Sequence, residues 1–260
     1  MARSRAPPLA LQGRVHPRAE HLHAGRHDTA ALVADDRPYA GWLYGGLVFH
    51  AQFANQLRLV EVAIGVVGPS ARGEPAQNGW HDVIDVPHAE GWANQLRDEP
   101  GLSLSWERRY RLRPWLRSGR GNWAFDTIAH GRLTLGNVHS HLAVGLTARA
   151  GWRLPADFGP DLIRPGGGNT SNFDEVLPFT AYAFAHGEGR GVARDIFLDG
   201  NTWRDSHSVR KRPLVADLSV GFVVGWPRFQ LTYTQAYRSK EFYGQRKRDV
   251  FGSIGLSWTY

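Results

Sequence analysis

DVFGSIGLSWTY, residues 249–260, decides the fold class of this chain. Every second residue up to Tyr260 is apolar apart from Gly252, whereas the positions between them are small or polar after Phe251. Alternation with a period of two describes a β-strand with one apolar and one polar face. A chain that ends on such a strand, with tryptophan and tyrosine in its last positions, is typical of an outer-membrane β-barrel.

The composition also favours a sheet over a helical fold. The 260 residues include 30 glycines, 10 tryptophans, 8 tyrosines and 12 phenylalanines, but one methionine. Glycine and aromatic residues at this level suit a twisted sheet with aromatic girdles. Cysteine is absent, which excludes thiol catalysis, cysteine-bound metals and disulfides.

The net charge of +7 leaves two interpretations open. The basic residues either lie in solvated loops or attract anionic groups, such as the phosphates of a lipid surface. The basic loop VRKRP, residues 209–213, is a candidate for such phosphates. We expect no nucleic-acid partner, because the sequence carries no nucleic-acid-binding module and no regular basic-aromatic pattern.

Alternation recurs along most of the chain and predicts about ten strands. A sheet of this size with long apolar faces needs its edges closed, so we predict an all-β fold, an antiparallel transmembrane β-barrel. The clearest strands cover residues 57–67, 102–112, 122–133, 137–152, 214–226 and 228–239.

Two segments interrupt the strands. Residues 76–97 are the best helical candidate, broken by Pro87, and the helical pattern is stronger over residues 89–96. They predict a short helical excursion from the sheet. Residues 153–178 form a long loop rich in glycine and proline, and loops of this length are usually functional or disordered.

The chain divides into two parts at about residue 30. Residues 1–30 hold many arginines and histidines, show no clear periodicity and lack the roughly 7 to 15 residue apolar core of a secretory signal. We interpret them as a disordered or wrongly assigned N-terminal segment. Residues 31–260 form the barrel domain, which we expect to be a monomer.

Six blocks, in the same order along the chain, resemble one family. They are DDRPYAGWLYGG (35–46), GVVGPSARGE (65–74), GWANQLRDEPGL (91–102), LGNV (135–138), LPADFGP (154–160) and IFLDGNTWRDSHSV (196–209). They are similar to the outer-membrane lipid A 3′-O-deacylases of Gram-negative bacteria. The likeness runs from about Asp35 to Tyr260.

The resemblance implies a twelve-stranded barrel in the bacterial outer membrane. It implies an esterase that removes the ester-linked acyl chain at the 3′ position of lipid A, the lipid anchor of lipopolysaccharide. It also implies a Ca²⁺ requirement and a site between the barrel wall and a helix, for which residues 76–97 are the candidate. The metal ligands stay unknown at this stage.

The start of the chain departs from the family pattern. Family members carry a signal peptide, a first strand with an Asn-Asp pair and a Tyr-Thr-Asn-Gly motif, and residues 1–34 contain none of these. Two alternatives to the enzyme therefore stay open. One is a catalytically inactive barrel remnant; the other is a small passive pore, which bulky residues at lumen positions such as Arg149 and Arg238 make less attractive.

Histidine suits the role of a general base that activates water for ester hydrolysis. His130 is the first candidate because it lies on the polar face of its strand, with Asp126 four residues earlier on the same face, just before the LGNV block. His139 and His141 are the runners-up. No GxSxG motif is present, so the sequence does not support a serine nucleophile of the α/β-hydrolase type.

Four further residues are candidates for substrate contacts or for structural roles: Asp36, Arg37, Tyr39 and Asn137. The carboxylate pair of Asp35 and Asp36 could bind Ca²⁺, which prefers oxygen ligands, or could accept backbone N–H bonds in a turn. The sequence LDGNTWRDS, residues 198–206, lacks the glutamate of an EF-hand loop, and we interpret it as turn chemistry.

Overall fold

The computed structural model describes residues 10–18, 29–112, 116–117, 122–160, 162 and 179–258, with the backbone alone for 10–18 and 116–117. All strands pair antiparallel in one sheet. The strands are β1 (Ala10–Arg18), β2 (Trp42–Gln52), β3 (Gln56–Val67), β4 (Glu99–Arg111), β5 (Leu116–Arg117), β6 (Trp123–Gly136), β7 (His139–Trp152), β8 (Thr180–Asp195), β9 (Leu214–Trp226), β10 (Phe229–Arg238) and β11 (Asp249–Trp258).

The strands follow one another as a meander that curls into a barrel. Each pairs with its neighbours in chain order, except that the two-residue β5 lies off this path and pairs with β6 beside β4. The two ends of the sheet approach each other at one rim. Arg37, five residues before β2, places its Nη2 2.9 Å from Glu241 Oε2 and 3.9 Å from Oδ2 of Asp249, the first residue of β11.

Burial shows that the wall is apolar outside and polar inside. Arg109, Arg132 and Arg149 are at most 3% exposed, whereas Ile64 and Ile254 are 63% and 73% exposed. A water-soluble protein would reverse this pattern, and a barrel in lipid requires it. The sequence prediction of a transmembrane β-barrel is therefore confirmed.

The two rims of the barrel differ in what they carry. We call one the helix rim, formed by residues 29–41, 68–98, 137–138, 196–213 and 239–248. The other is the aromatic rim, whose described residues are 53–55, 112, 122, 153–160, 162, 179 and 227–228. Aromatic rings pack in pairs at the strand ends of the aromatic rim: Trp123 with Trp152, Phe179 with Trp226, and Trp226 with Phe229, at centroid distances of 6.1, 5.9 and 5.9 Å. Such a belt marks a membrane–water interface.

The helical excursion differs in detail from the sequence prediction. The regular helix is α1 (Gly73–Ile84), which precedes Pro87, and the segment with the stronger pattern forms only the short 3₁₀ helix Gly91–Asn94. The reason is packing, because Gln77 in α1 accepts a 2.9 Å hydrogen bond from Trp92 Nε1 and fixes the second segment against the first. Within the described residues, no helix combines the length and apolar character needed to cross a bilayer.

The helix rim also carries α2 (Ile196–Asp199) and a small apolar core. Trp42, Val138, Ile196 and Phe197 pack together there. Val138, which lies between β6 and β7, is fully buried in this core.

Residues 1–30 differ partly from the interpretation of a disordered segment. Residues 10–18 form β1 and pair with β2 in the register Ala10↔His50 to Arg18↔Trp42. The loop prediction for residues 153–178 lies mostly outside the described residues, although residues 153–160 belong to the described part and bring Phe158 against Leu57 and Leu59 in the lumen.

Candidate functional site

The candidate site lies in the middle of β6, β7 and β8. The register pairs His130 of β6 with Gly145 of β7, and Gly145 with Glu188 of β8. His130 and Glu188 point into the lumen, where they are 8% and 6% exposed. Three adjacent strands thus bring together residues that lie 58 positions apart in the sequence.

His130 is held by a carboxylate and a second imidazole. Its Nε2 lies 2.9 Å from Glu188 Oε2, and its ring stacks on that of His186 with a centroid distance of 5.2 Å. His186 is fixed in turn by a 2.8 Å hydrogen bond between its Nδ1 and Thr147 Oγ1. Because a carboxylate accepts, Nε2 of His130 is the donor, and in the neutral imidazole Nδ1 then keeps its lone pair.

Arg132 holds the same carboxylate from the other side. Its Nη2 donates to Glu188 at 3.0 and 3.2 Å, and Arg190 Nε lies 3.8 Å from Oε1. Glu188 therefore carries one imidazole and two guanidinium neighbours. This arrangement fixes the orientation of the His130 ring.

Gly145 makes room for the His130 ring. A Cβ on Gly145 would collide with His130 Cε1 and with the Gly187 carbonyl oxygen. The ring therefore lies directly on bare backbone, and any larger residue at this position would displace it.

Asp126 shares the lumen face with His130 but does not contact it. Both oxygens of Asp126 accept hydrogen bonds from Arg149, at 2.8 Å from Nε and 2.6 Å from Nη2. The second ion pair of Arg149 is with Asp157, and its guanidinium stacks on the Tyr182 ring. Four residues of strand, roughly 13 Å, separate Asp126 from His130, so the structure does not bring these two candidates together.

His139 belongs to the helix rim. It lies six residues from Gly145 along β7, which is roughly 20 Å of strand, and its ring packs against Trp42 and Phe197 at 6.0 and 5.6 Å. Its Nδ1 is 3.8 Å from Asp195 Oδ1. The structure thus does not bring His139 to His130.

Three of the other candidates form the polar framework of residues 35–39. Asp36 Oδ1 accepts a 2.8 Å hydrogen bond from the Arg37 N–H, as in a turn, and Arg37 pairs with Glu241 and stacks on Phe242. Tyr39 packs edge-on against Trp92 at 5.2 Å. Burial and the nearby Asp36 carboxylate raise the pKa of the Tyr39 hydroxyl.

Asn137 binds the chain at the β6–β7 turn. Its side chain accepts from the Leu102 N–H and donates to the Pro100 carbonyl, both at 2.8 Å, and its own carbonyl accepts from Arg194 Nε at 2.9 Å. Glu99 nearby accepts from Asn201 and Thr202. These contacts tie together the loops of the helix rim.

The donor set at His130 does not fit the calcium ion that the resemblance implies. His130, His186 and Glu188 offer ligand atoms within 4.8 Å of one another. Two imidazole nitrogens and one carboxylate suit zinc or another transition metal, whereas Ca²⁺ takes six to eight oxygen ligands. The guanidinium groups of Arg132 and Arg190 beside Glu188 also disfavour a cation.

Glu188 and His186 were not among the site residues that the sequence predicted. Their strand reads AYAFAHGEGRGVAR, in which tyrosine, phenylalanine, histidine, glutamate and arginine alternate with alanine and glycine. The outward positions of this strand are alanine and glycine, not large apolar residues. The alternation is therefore weak, and it does not indicate which residues face the lumen.

Comparisons with known proteins agree with the barrel fold. The family described as "Outer membrane protein LpxR" matches residues 26–260. Among solved structures, LpxR from Salmonella typhimurium superposes with a TM-score of 0.76 at 18% identity, covering 96% of this chain and 88% of that one. A comparison with curated proteins gives no match. The match of the family over most of the chain shows that this protein belongs to the LpxR family of outer membrane proteins.

Proposed function

We propose that this protein is an outer-membrane esterase that removes the 3′-linked acyl chain of lipid A. Membership of the LpxR family and the barrel fold support the membrane and the lipopolysaccharide context. The observation that carries the chemistry is the 2.9 Å contact between His130 and Glu188 in the lumen. This contact fixes the orientation of the ring through Nε2 and leaves Nδ1 to accept a proton, as a general base requires.

In the proposed reaction, His130 Nδ1 takes a proton from water while the water oxygen attacks the ester carbonyl carbon. The ester C–O bond then breaks, and the imidazolium returns the proton to the sugar oxygen that leaves. Glu188 stabilises the imidazolium through its bond to Nε2, and Arg132 positions Glu188. Nδ1 of His130 makes no hydrogen bond with any described residue, so it can receive this proton.

The experiment is mass spectrometry of lipid A from cells that express the full chain. Loss of the 3′ acyl chain is expected with the unchanged protein, and His130→Gln should slow it by about 10² to 10⁴. Glu188→Gln should slow it less, because the base remains but loses its orienting charge. Full activity of His130→Gln would refute the assignment of the base, and no acyl loss with the unchanged protein would favour an inactive barrel.

Calcium support remains a prediction, with ligands other than the His130 group. Its test is the hydrolysis of lipid A by purified protein in the presence of a calcium-selective chelator. Loss of activity that Ca²⁺ restores and Zn²⁺ does not would confirm it. Unchanged activity after chelation would refute it and would favour the metal-free reaction described above.

A further inference from the structure

A cavity at the helix rim lies next to the candidate site. We call it the rim cavity; ten residues line it, among them His141 of β7, Arg190 and Arg194 of β8, and Arg212 from the loop before β9. Arg190 is the next inward residue after Glu188 on β8, roughly 7 Å along the strand. The rim cavity therefore begins one position beyond the carboxylate that holds His130.

The charges around the rim cavity are unbalanced. Arg190 pairs with Asp217 at 3.0 Å and lies 3.9 Å from Glu241. Arg194, by contrast, donates to neutral oxygens only, those of Asn137, Gly200 and Thr202. Arg212 makes no ion pair with any described residue, and its guanidinium packs on the Tyr243 ring at 4.6 Å.

The carboxylates of the rim cavity do not neutralise these two guanidinium groups. Glu241 is shared with Arg37 at 2.9 Å and Arg238 at 3.5 Å, and Asp195 accepts the N–H of Phe197. The rim cavity consequently carries an excess of positive charge on partly buried guanidinium groups, which attracts anions.

Several buried nitrogens that line the rim cavity also lack hydrogen-bond partners among the described residues, and two of them matter here. Nε of Arg212 and Nε2 of His141 are both shielded from solvent and meet no hydrogen-bond partner among the residues described. His141 is 5% exposed. Buried polar groups are normally hydrogen-bonded, so each such exception points to a missing partner.

We propose that the rim cavity binds a phosphate group of the lipid A substrate, with Arg212, Arg194 and His141 as its ligands. Guanidinium groups recognise phosphate through charge-assisted hydrogen bonds. A phosphate would supply both the missing negative charge and the acceptors for Arg212 Nε and His141 Nε2. This inference rests on the proposed function, because it identifies a headgroup of the same substrate.

The experiment measures equilibrium binding of lipid A to the full chain refolded in detergent micelles. It uses the His130→Gln background, in which ester cleavage is slow compared with the measurement. Its probes are phosphorylated lipid A and the same lipid after removal of its phosphates. We expect the phosphorylated lipid to bind about tenfold more tightly or better. Arg212→Gln should abolish this difference, and Arg212→Lys, which keeps the charge, should restore part of it.

The matched control is Arg246→Gln, which removes an exposed arginine from the same rim. It should leave the difference between the two lipids unchanged within about twofold, as is usual for exposed sites. The proposal is overturned if Arg212→Gln leaves the difference intact, or if Arg246→Gln removes it equally. Displacement of both lipids by inorganic phosphate without discrimination between them would assign the rim cavity to free phosphate and would also overturn it.

Parallel hydrolysis by the unchanged chain separates this proposal from the proposed function. Phosphate-dependent binding without release of an acyl chain would refute the esterase and leave the phosphate site standing. Release of the acyl chain at equal rates and equal affinities from both lipids would do the reverse.

Discussion

Two buried charge clusters lie in the lumen beside β6, β7 and β8, and they behave differently. In the cluster near the aromatic rim, Arg149 is paired with Asp126 and Asp157 and also donates to the Pro155 carbonyl. In the cluster at mid-strand, Glu188 serves both Arg132 and His130, and the Nδ1 of the imidazole has no partner among the described side chains. The fully paired Arg149 cluster stabilises the fold. In the other cluster, Arg132 and His130 share one carboxylate, and Nδ1 of His130 stays available for chemistry.

The largest effect on stability should follow from removal of Arg149 from its fully paired cluster. Arg149→Leu leaves Asp126 and Asp157 buried without a counter-charge, so we expect the free energy of unfolding to fall by about 3–5 kcal/mol. Denaturant unfolding in micelles measures it. The control Arg246→Leu alters an exposed side chain and should stay within about 0.5 kcal/mol. A loss below about 1 kcal/mol for Arg149→Leu would contradict a stabilising role of the Arg149 cluster.

A smaller effect, on the rate instead of on stability, should follow from moving the base. In Gly145→Ala, the new methyl group displaces the His130 ring from Glu188, and we expect roughly a hundredfold loss of lipid A hydrolysis. Gly189→Ala is the matched control, since a Cβ there meets no atom within 4 Å. Gel mobility of unheated protein verifies that both variants fold. Equal activity of the two variants would show that the position of the ring does not matter.

The smallest effect concerns pH and a third charge cluster, that of Glu241 at the helix rim. Burial acts to raise its pKa, but Arg238 and Arg37 outweigh burial, and the pKa lies below its ordinary value of 4.5. Its stabilising contribution is thus fully present above the pKa of the unfolded chain and is lost as pH falls through the folded pKa.

Melting temperatures between pH 7 and pH 3 test this contribution. Glu241→Gln should melt at a lower temperature than the unchanged protein at pH 7, and the difference should shrink on acidification. Glu90→Gln, at an exposed site on the same rim, should follow the unchanged protein throughout. A difference that stays constant with pH would exclude the charge of Glu241 as its cause.

The sequence was sufficient to predict which side chains of the barrel wall face the lumen. It was not sufficient to predict which of these side chains contact one another. Alternation correctly placed Asp126, His130 and Arg149 in the lumen, because period two is a local property of each strand. The partner of His130 could not be read in this way. It depends on the register of β6, β7 and β8, which follows from pairing along the whole sheet.

The helical excursion illustrates the same limit. Residues 89–96 carry the better local pattern, yet α1 forms over Gly73–Ile84, and Trp92 packs against it through Gln77. Tertiary contacts override local preference in segments this short. The Asp36 to Tyr39 block was similarly conspicuous as a motif, but its contacts show a framework of turn and ion pair.

The aromatic belt also allows the depth of His130 in the membrane to be estimated. Trp123 lies in the belt, and His130 follows it by seven residues on β6. At a rise of roughly 3.3 Å per residue and a strand tilt of about 40°, the imidazole lies roughly 18 Å above the belt. The apolar band of such barrels is about 25 Å tall. His130 is therefore positioned in the leaflet on the side of the helix rim, below the headgroups, at the level where acyl esters of that leaflet begin.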